Sequence, residues 1–418
     1  MRPRGAGGRL YCPYCYQDFP EQQIEFRCPG SVGRGGQRCA PEVDKVLRAH
    51  MGFTGALPPV FAADGRQTSA PCPRCAATST TRVCPVCHSQ LPVRFGKMPS
   101  RMIALVGAKQ SGKTVFMTVL LHELMHDLGS QLSATISGAD DNTRHRFATE
   151  YEKPLYRESL MLPPTPTAGL LNRVPLVFRF TTGSANGSGR AFWPGRAGRT
   201  GAAMPRHTLL SFFDAAGEDL RSQLSVEQNV RYLAAADGII LILDPLKMPG
   251  APAAAGNAAS NASGDGTVPH ADHDADDHPA TVLGRITDLL LATAPGEKPD
   301  WIRKPLAIVF AKMDAFLPEL SRTSPLLQPP PRAAHLEERD SAAVHQEIGR
   351  LLGQWEGHRI DQFARDYYRT YRYFGVSALG ETPTADNRVS PRGIRPLRVA
   401  DPFIWTLAQL GAIPVKRG

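Results

Sequence analysis

The eight residues Gly107–Thr114 combine residue types and a spacing that suit the binding of a phosphate chain. They read Gly-Ala-Lys-Gln-Ser-Gly-Lys-Thr and match the pattern G-x-x-x-x-G-K-[ST]. The glycines let the backbone curl until its N–H groups point at an anion, and the helix that follows adds a favourable dipole. Lys113 can reach the outer phosphates, and the Thr114 hydroxyl can bind Mg²⁺. We therefore predict that a nucleotide contacts Gly107, Lys109, Gln110, Ser111, Gly112, Lys113 and Thr114.

A second group of polar residues follows the apolar run 208–213. It reads Asp214-Ala215-Ala216-Gly217-Glu218. An aspartate at the end of a buried strand can hold Mg²⁺ through water, and the Gly217 N–H can bond a terminal phosphate. Glu218 is predicted to orient a water molecule or act as a base, although its negative charge would face the phosphate. A plain turn aspartate is the alternative for Asp214.

The helix after the phosphate loop is predicted to reach about residue 128, and a second helix is predicted at about 142–155. The stretch 162–169 lies between the first helix and a strand predicted at 174–180. Its three prolines exclude a helix. Thr165 and Thr167 are both candidates to contact the terminal phosphate and Mg²⁺, and Thr165 is preferred. The alternative is a linker with no role at a nucleotide. Thr165 completes a predicted catalytic set whose other members are Lys113, Gly217 and Glu218.

Two motifs at the ends of apolar runs predict which base is bound. Lys312-Met313-Asp314 resembles the guanine-specificity motif [NT]-K-x-D, in which the lysine stem packs over the base and the carboxylate accepts two hydrogen bonds from guanine. Ala311 stands where Asn or Thr is usual, so an adenine nucleotide stays open as the alternative. Ser377-Ala378 resembles a loop whose backbone N–H contacts the guanine O6. We expect the base to contact Lys312, Asp314, Ser377 and Ala378.

All eight cysteines lie before residue 88 and are predicted to bind zinc. Four thiolates at short spacings suit a tetrahedral zinc ion, so one site is predicted from Cys72, Cys75, Cys84 and Cys87. A second, less regular set is predicted from Cys12, Cys15, Cys28 and Cys39. Disulfides and a redox pair are the alternatives, and a cytosolic context argues against disulfides. Zinc would supply folding free energy that this stretch lacks in apolar residues.

The order of these motifs resembles a translation-factor-related (TRAFAC-type) P-loop GTPase domain. With cysteine knuckles directly before it, the whole chain resembles the bacterial double-GTPase family. The resemblance implies an α/β fold with a mostly parallel sheet and helices on both faces, preceded by a zinc-ribbon region. It also implies GTP or GDP, Mg²⁺ and two Zn²⁺ as cofactors, GTP hydrolysis as the activity, and a switch role in bacterial signalling or conflict. The implied partner is a protein, with a second GTPase as one candidate.

The bulk composition fits a globular protein of more than one domain. Of the 418 residues, 42% are hydrophobic and 21% are charged, with a net charge of +9 that permits contact with nucleic acid or anionic lipid without showing it. We predict a cysteine-rich region at 1–99, with a linker at 58–69, and a nucleotide domain at 100–418, with a low-complexity insertion at about 247–280. The apolar runs are too short to span a bilayer and the first residues lack an apolar signal, so we expect a cytoplasmic protein.

Two other functions stay open at this stage. The first is an ATPase with an imperfect base pocket. The second is a zinc-ribbon adaptor or scaffold that binds a nucleotide with little turnover.

Overall fold

The computed structural model describes residues 9–34, 36–93, 95–96, 101–108, 110–163, 174–182, 206–212, 230–251, 278–293, 301–331 and 334–417.

A seven-stranded sheet forms the centre of the fold. Its strands are β1 (Met102–Gly107), β2 (Ala134–Gly138), β3 (Leu176–Thr182), β4 (Arg206–Phe212), β5 (Gly238–Leu243), β6 (Leu306–Phe310) and β7 (Tyr371–Gly375). They lie in the order β2-β3-β4-β1-β5-β6-β7, and β3 is antiparallel to both its neighbours while the other pairs are parallel. Every residue of β5 and β6 is buried, as expected for central parallel strands covered on both faces.

Helices connect these strands. They are α1 (Lys113–Met125), α2 (Leu128–Gln131), α3 (Asp141–Arg146), α4 (Pro279–Ala292), α5 (Glu338–Gln354), α6 (His358–Tyr367) and α7 (Asp401–Gln409). The chain continues from α3 into a π-helix, Phe147–Arg157, which contains Pro154. Short 3₁₀ helices cover Glu21–Gln23, Pro245–Lys247, Met313–Glu319 and Pro325–Leu327, and Leu336–Glu337 pairs with Val415–Lys416.

Helices lie on both faces of the sheet. Adjacent residues of a strand point to opposite faces. On β7, Phe374 contacts Trp405 of α7, whereas a side-chain carbon at Gly375 would lie 2.7 Å from Ile348 of α5. The predicted P-loop α/β fold, with its mostly parallel sheet, is therefore confirmed.

Most predicted elements are present, and three differ. The first helix was predicted to reach about residue 128 and ends at Met125. The helix predicted at 142–155 is α3 followed by the π-helix, in which Pro154 cannot donate a backbone hydrogen bond. The edge strand β2 was not predicted, since its half-exposed residues give a weak apolar signal.

The cysteine region is built from short strands. Glu25–Arg27 pairs antiparallel with both Val60–Phe61 and Arg82–Val83, so the stretch 58–69 is part of a small sheet and its prediction as a linker was wrong. The two-residue pairs are Leu10–Tyr11 with Asp18–Phe19, Glu42–Val43 with Ala56–Leu57, and Ala70–Pro71 with Thr78–Ser79. A helix, Lys45–Met51, begins where Asp44 accepts hydrogen bonds from the Val46 and Leu47 N–H groups.

The cysteine region covers part of the central sheet. Val177 of β3 and Leu209 of β4 are buried among its apolar side chains. The next residue of each strand, Phe178 or Leu210, faces the main core instead. The region therefore packs on one face of β3 and β4. Among the described residues, no helix combines the length and apolar character needed to cross a bilayer.

Candidate nucleotide site and zinc centres

The loop Gly107–Thr114 connects β1 to α1, as predicted. Gln110 and Gly112 have φ of +60° and +85°, which curls the backbone ahead of the helix. A Cβ at Gly107 would lie 2.7 Å from the Ile242 carbonyl oxygen, so a larger residue does not fit there. The buried Ser111 hydroxyl donates to the Ala108 carbonyl at 2.9 Å, and this hydrogen bond within the loop stabilises its curled conformation. Lys113 and Thr114 form the first residues of α1, and Lys109 lies outside the described residues.

The ends of β5 and β6 lie beside this loop. A Cβ at Gly112 would be 3.9 Å from the Ala311 Cβ, which places the end of β6 next to the loop. The Ala311 N–H donates to the Leu243 carbonyl at 3.0 Å. Lys312 has a φ of +56°, and its ammonium pairs with the buried Asp244 carboxylate at 2.7 Å. This pair fixes the Lys312 stem at the edge of the sheet.

Asp314 and Ser377 contact each other, although 63 residues separate them. The Ser377 hydroxyl donates to Asp314 Oδ1 at 2.6 Å and accepts from the Gly380 N–H at 2.8 Å. Thr382 donates to Asp314 Oδ2 at 3.2 Å. Ser377 is buried, and Ala378 follows it at the surface of the main core. The two motifs predicted to contact the base thus form one hydrogen-bonded unit.

The predicted residues around the terminal phosphate fall outside the described part of the chain. They are Thr165, Thr167, Asp214, Gly217 and Glu218. The strand β4, which leads to Asp214, is described as far as Phe212 and lies beside β1. The predicted roles of these five residues stay predictions.

The eight cysteines form two buried groups of four, which we call the inner and outer clusters. The inner cluster contains Cys12, Cys15, Cys84 and Cys87, and the outer cluster contains Cys28, Cys39, Cys72 and Cys75. The predicted division into Cys12/Cys15/Cys28/Cys39 and Cys72/Cys75/Cys84/Cys87 was therefore wrong. All eight cysteines are free, so the disulfide alternative is excluded in this structure.

The small three-stranded sheet explains this division. Glu25 pairs with Val83 and Phe26 with Arg82 in an antiparallel ladder. Cys28 follows one of these strands and Cys84 follows the other, so the two cysteines leave the ladder at opposite ends. They belong to different clusters for this reason.

Sulfur separations in both clusters fit a tetrahedral zinc ion. They are 3.8 Å for Cys12–Cys87 and Cys15–Cys84, 3.6 Å for Cys28–Cys75 and 3.8 Å for Cys39–Cys72. A tetrahedron with Zn–S bonds of about 2.3 Å has edges of about 3.8 Å. The sulfur positions of both four-cysteine groups therefore match those of a tetrahedral zinc site.

The three Cys-x-x-Cys knuckles share one backbone conformation. In each knuckle, the N–H of the residue after the second cysteine donates to the carbonyl of the first. These following residues are Tyr16, Ala76 and His88, and all three have φ between +56° and +62°. In the outer cluster, a backbone hydrogen bond from Ala77 lowers the pKa of the Cys75 thiol to about 7, whereas burial raises the pKa of the Cys28 and Cys39 thiols.

Sequence reasoning missed two kinds of residue. Asp244 pairs with Lys312, and Thr382 donates a hydrogen bond to Asp314. The one sequence signal for Asp244 was its position at the end of the apolar run of β5. Tyr16 and His88 were not singled out for the contacts they make. His88 binds Asp44 at 2.9 Å and is not a ligand of either cluster.

With this geometry described, the chain can be compared with known proteins. No protein-family model matches it. It is 27% identical over 435 residues to a Mycolicibacterium smegmatis protein named "Putative ESX-1 scaffolding and assembly protein SaeC". The alignment covers 96% of this chain and 99% of that protein.

Solved structures with some likeness include two GTPases. One is the Arl6 BBS3 small GTPase from Trypanosoma brucei with bound GppNp, at 12% identity and a TM-score of 0.27, covering 75% of this chain and 98% of that one. The other is the SRb-GTP/SRX complex of the signal recognition particle receptor from Chaetomium thermophilum, at 15% identity and a TM-score of 0.27, covering 68% and 94%. Scores this low do not by themselves establish a common fold.

Proposed function

We propose that this chain is a Mg²⁺-dependent GTP-binding and GTP-hydrolysing switch. One observation carries the proposal: the phosphate loop and the Asp314–Ser377 unit share one edge of the sheet. The loop follows β1, and Asp314 and Ser377 follow β6 and β7, which run parallel to it. Ligands of open α/β sheets bind outside the carboxyl ends of such strands.

In the proposed site, the loop N–H groups and Lys113 bind the phosphates. Lys312 packs along the base, with its ammonium held by Asp244 at 2.7 Å. Asp314 binds the base edge, and the backbone after Ser377 binds its carbonyl oxygen.

Five further residues complete the proposal from the sequence. Thr114 and Asp214 would hold Mg²⁺, which neutralises phosphate charge when bound. Thr165 and Gly217 would contact the γ-phosphate, and Glu218 would orient the attacking water. Positioning and charge neutralisation supply most of the acceleration in such a reaction.

The hydrogen bonds of the Asp314 carboxylate favour binding of guanine over adenine. The carboxylate has about four acceptor sites, of which Ser377 and Thr382 use two. The remaining two can accept from the N1–H and N2 amino groups of guanine. Adenine offers no such pair of donors, so an Asp carboxylate held in this orientation discriminates against it.

The test compares fluorescent mant-GTP with mant-ATP in the parent chain and in Asp314→Asn. We expect the parent to prefer GTP by up to about a hundredfold, since a polar group left without its hydrogen-bond partner costs up to about 3 kcal/mol. Asp314→Asn should have a lower affinity for GTP and a higher affinity for xanthosine triphosphate, because the C2 carbonyl of xanthine accepts a hydrogen bond from the new amide. Ser377 can still donate to the oxygen of that amide. Equal affinity of the parent for GTP and ATP would contradict guanine recognition.

A second candidate function is a scaffold that binds nucleotide with little turnover. It is favoured by the relative from M. smegmatis, whose name describes ESX-1 scaffolding and assembly and of whose length 99% aligns with this chain. On this proposal, the chain would act as a scaffold on which other proteins assemble. The resemblance to double-GTPase systems proposes a second GTPase as the partner instead.

Phosphate release separates the switch from the scaffold. The parent chain, alone and with a co-purified partner, is compared with Lys113→Ala, which removes the ammonium at the phosphates. Turnover above the Lys113→Ala background supports the switch. Nucleotide binding with turnover equal to that background, even with partner present, supports the scaffold.

A further inference from the structure

A third group of metal-binding side chains lies at the end of α1 opposite the phosphate loop. It consists of His122 on α1, His126 directly after the last residue of α1, and Glu152 on the π-helix. One potential ligand atom from each of the three lies within 4.8 Å of the others. None of these residues belongs to the nucleotide site or to a cysteine cluster.

Both helices position this group. Histidines four residues apart lie on the same face of a helix, so their rings are neighbours, with centroids 4.1 Å apart. The His122 Nδ1 lies 2.8 Å from Glu152 Oε1, and the two side chains are 21% and 22% exposed. His126 Nδ1 donates to the His122 carbonyl at 2.8 Å, which leaves Nε2 of this exposed ring for a ligand.

Tyr156 gives a second, independent observation. Its ring stacks on His122 with centroids 3.7 Å apart and limits the positions the imidazole can take. Its hydroxyl is buried and has no hydrogen-bond partner among the described residues. A buried hydroxyl without a partner is costly. A water molecule held on a metal beside His122 would supply one.

The donor set points to a first-row transition metal. Two imidazoles and one carboxylate form the ligand set of zinc sites that keep an open position, and two histidines one helical turn apart are a recurring zinc-binding pattern. Hard cations such as Mg²⁺ prefer oxygen ligands and do not suit the two nitrogens.

We propose that His122, His126 and Glu152 bind a third zinc ion, with at least one coordination position left to water. The metal replaces the His122–Glu152 hydrogen bond and links α1 to the π-helix. Because α1 begins at Lys113, the site connects the phosphate-loop helix with the segment that leads to residues 162–169. The proposal does not depend on which nucleotide the chain binds.

The test counts zinc in the full-length chain. Protein with both cysteine clusters loaded is dialysed against buffered free Zn²⁺, and bound metal is measured by mass spectrometry. The parent should take up a third zinc, and excess Mg²⁺ should not displace it. His126→Ala and Glu152→Gln should weaken this third site at least about tenfold while two zinc ions stay bound in the cysteine clusters.

A matched control is His145→Ala, which removes an exposed histidine of the neighbouring helix α3. It should bind the third zinc as the parent does. The two cysteine-bound zinc ions and an unchanged circular dichroism spectrum report that each variant is folded. A parent chain that saturates at two zinc ions overturns the proposal, as does a third zinc that neither His126→Ala nor Glu152→Gln weakens.

Discussion

The inner and outer clusters use the same four thiolates, yet they differ in what surrounds them. The inner cluster packs with Leu10, Phe19 and Ile24 and with Val177 and Leu209 of the central sheet. The outer cluster packs with Ala77 and Phe61 of the cysteine region itself. A zinc ion in the inner cluster would therefore lie in a core shared with β3 and β4, whereas one in the outer cluster would be surrounded by the cysteine region alone.

The largest expected effect comes from removing one ligand of each cluster. Structural zinc contributes on the order of 10 kcal/mol in isolated zinc-finger peptides, which is comparable to the whole stability of a domain at about 5–15 kcal/mol. We expect Cys84→Ser to unfold the chain or make it insoluble, because the apolar face of β3 and β4 loses its cover. Cys72→Ser should leave a folded chain with a melting temperature close to that of the parent.

The measurement is thermal unfolding together with zinc content. Cys72→Ser should lose one of the two cysteine-bound zinc ions and still bind nucleotide, whereas Cys84→Ser should be recovered unfolded or insoluble. If Cys72→Ser is also unfolded or insoluble, the two clusters form one cooperative unit and the distinction between them fails.

The same comparison shows which features the sequence could predict. A knuckle is local: a Cys-x-x-Cys spacing sets the turn, and all three predicted knuckles are present. The loop Gly107–Thr114 and the fully apolar strands β5 and β6 are local in the same sense. These features were correctly predicted because each depends on residues close together in the chain.

The pairing of knuckles is not local and was wrongly predicted. It depends on which strand lies beside Glu25–Arg27, and the partners come from residues 60–61 and 82–83. Nearness in sequence suggested that Cys72–Cys75 joins Cys84–Cys87, but the antiparallel ladder sends them to opposite ends. Asp244 was missed for the same reason, since its partner Lys312 is 68 residues away.

Asp44 connects the two clusters, so substituting it tests whether they are independent. Its carboxylate pairs with Arg27, next to Cys28 of the outer cluster, at 2.7 Å. It also pairs with His88, next to Cys87 of the inner cluster, at 2.9 Å. The carboxylate is nearly buried and ties the two halves of the cysteine region together.

We expect Asp44→Ala to destabilise the chain by about 3 kcal/mol, since it leaves the buried Arg27 without its charged partner. Asp44→Asn keeps a side chain that can cap the helix Lys45–Met51, so it should lower the free energy of unfolding less than Asp44→Ala does. Urea unfolding measures both. The control Asp64→Ala removes an exposed ion pair with Arg66 and should cost under about 1 kcal/mol. Equal losses of unfolding free energy in Asp44→Ala and Asp64→Ala would show that the contacts of Asp44 with Arg27 and His88 are not needed to hold the two clusters together.

The pH dependence of the same variants carries a definite sign. Burial acts to raise the pKa of Asp44, but the Leu47 N–H, Arg27 and His88 outweigh it and hold the pKa below its usual value. The folded state therefore binds this proton less readily than the unfolded state does. The contribution of Asp44 is present above the unfolded pKa and is lost as the pH falls through the folded one. Asp44→Asn should flatten this acid-side loss of stability.

The smallest expected effect concerns how the inner cluster contacts the sheet. Tyr16 follows its first knuckle, and Ala76 holds the equivalent place in the outer cluster. The Ser211 hydroxyl donates to the Pro13 carbonyl at 2.9 Å, so the Tyr16 hydroxyl, 3.0 Å away, must donate to Ser211. Ser211 lies on β4, three residues before Asp214. The inner cluster thus contacts the strand that leads to the proposed Mg²⁺ ligand.

We expect Tyr16→Phe to cost about 1 kcal/mol in urea unfolding, the usual net value of one hydrogen bond. If β4 transmits the contact, Mg²⁺-dependent GTP affinity should also change by about 0.5 kcal/mol, or roughly twofold. Tyr14→Phe is the matched control, because the hydroxyl of this tyrosine, in the same knuckle, donates to Asp140 at 2.6 Å, away from β4. It should cost similar stability and leave GTP affinity unchanged. Equal shifts of GTP affinity in both variants would mean that the inner cluster supports the sheet as a whole and has no specific connection to the nucleotide site.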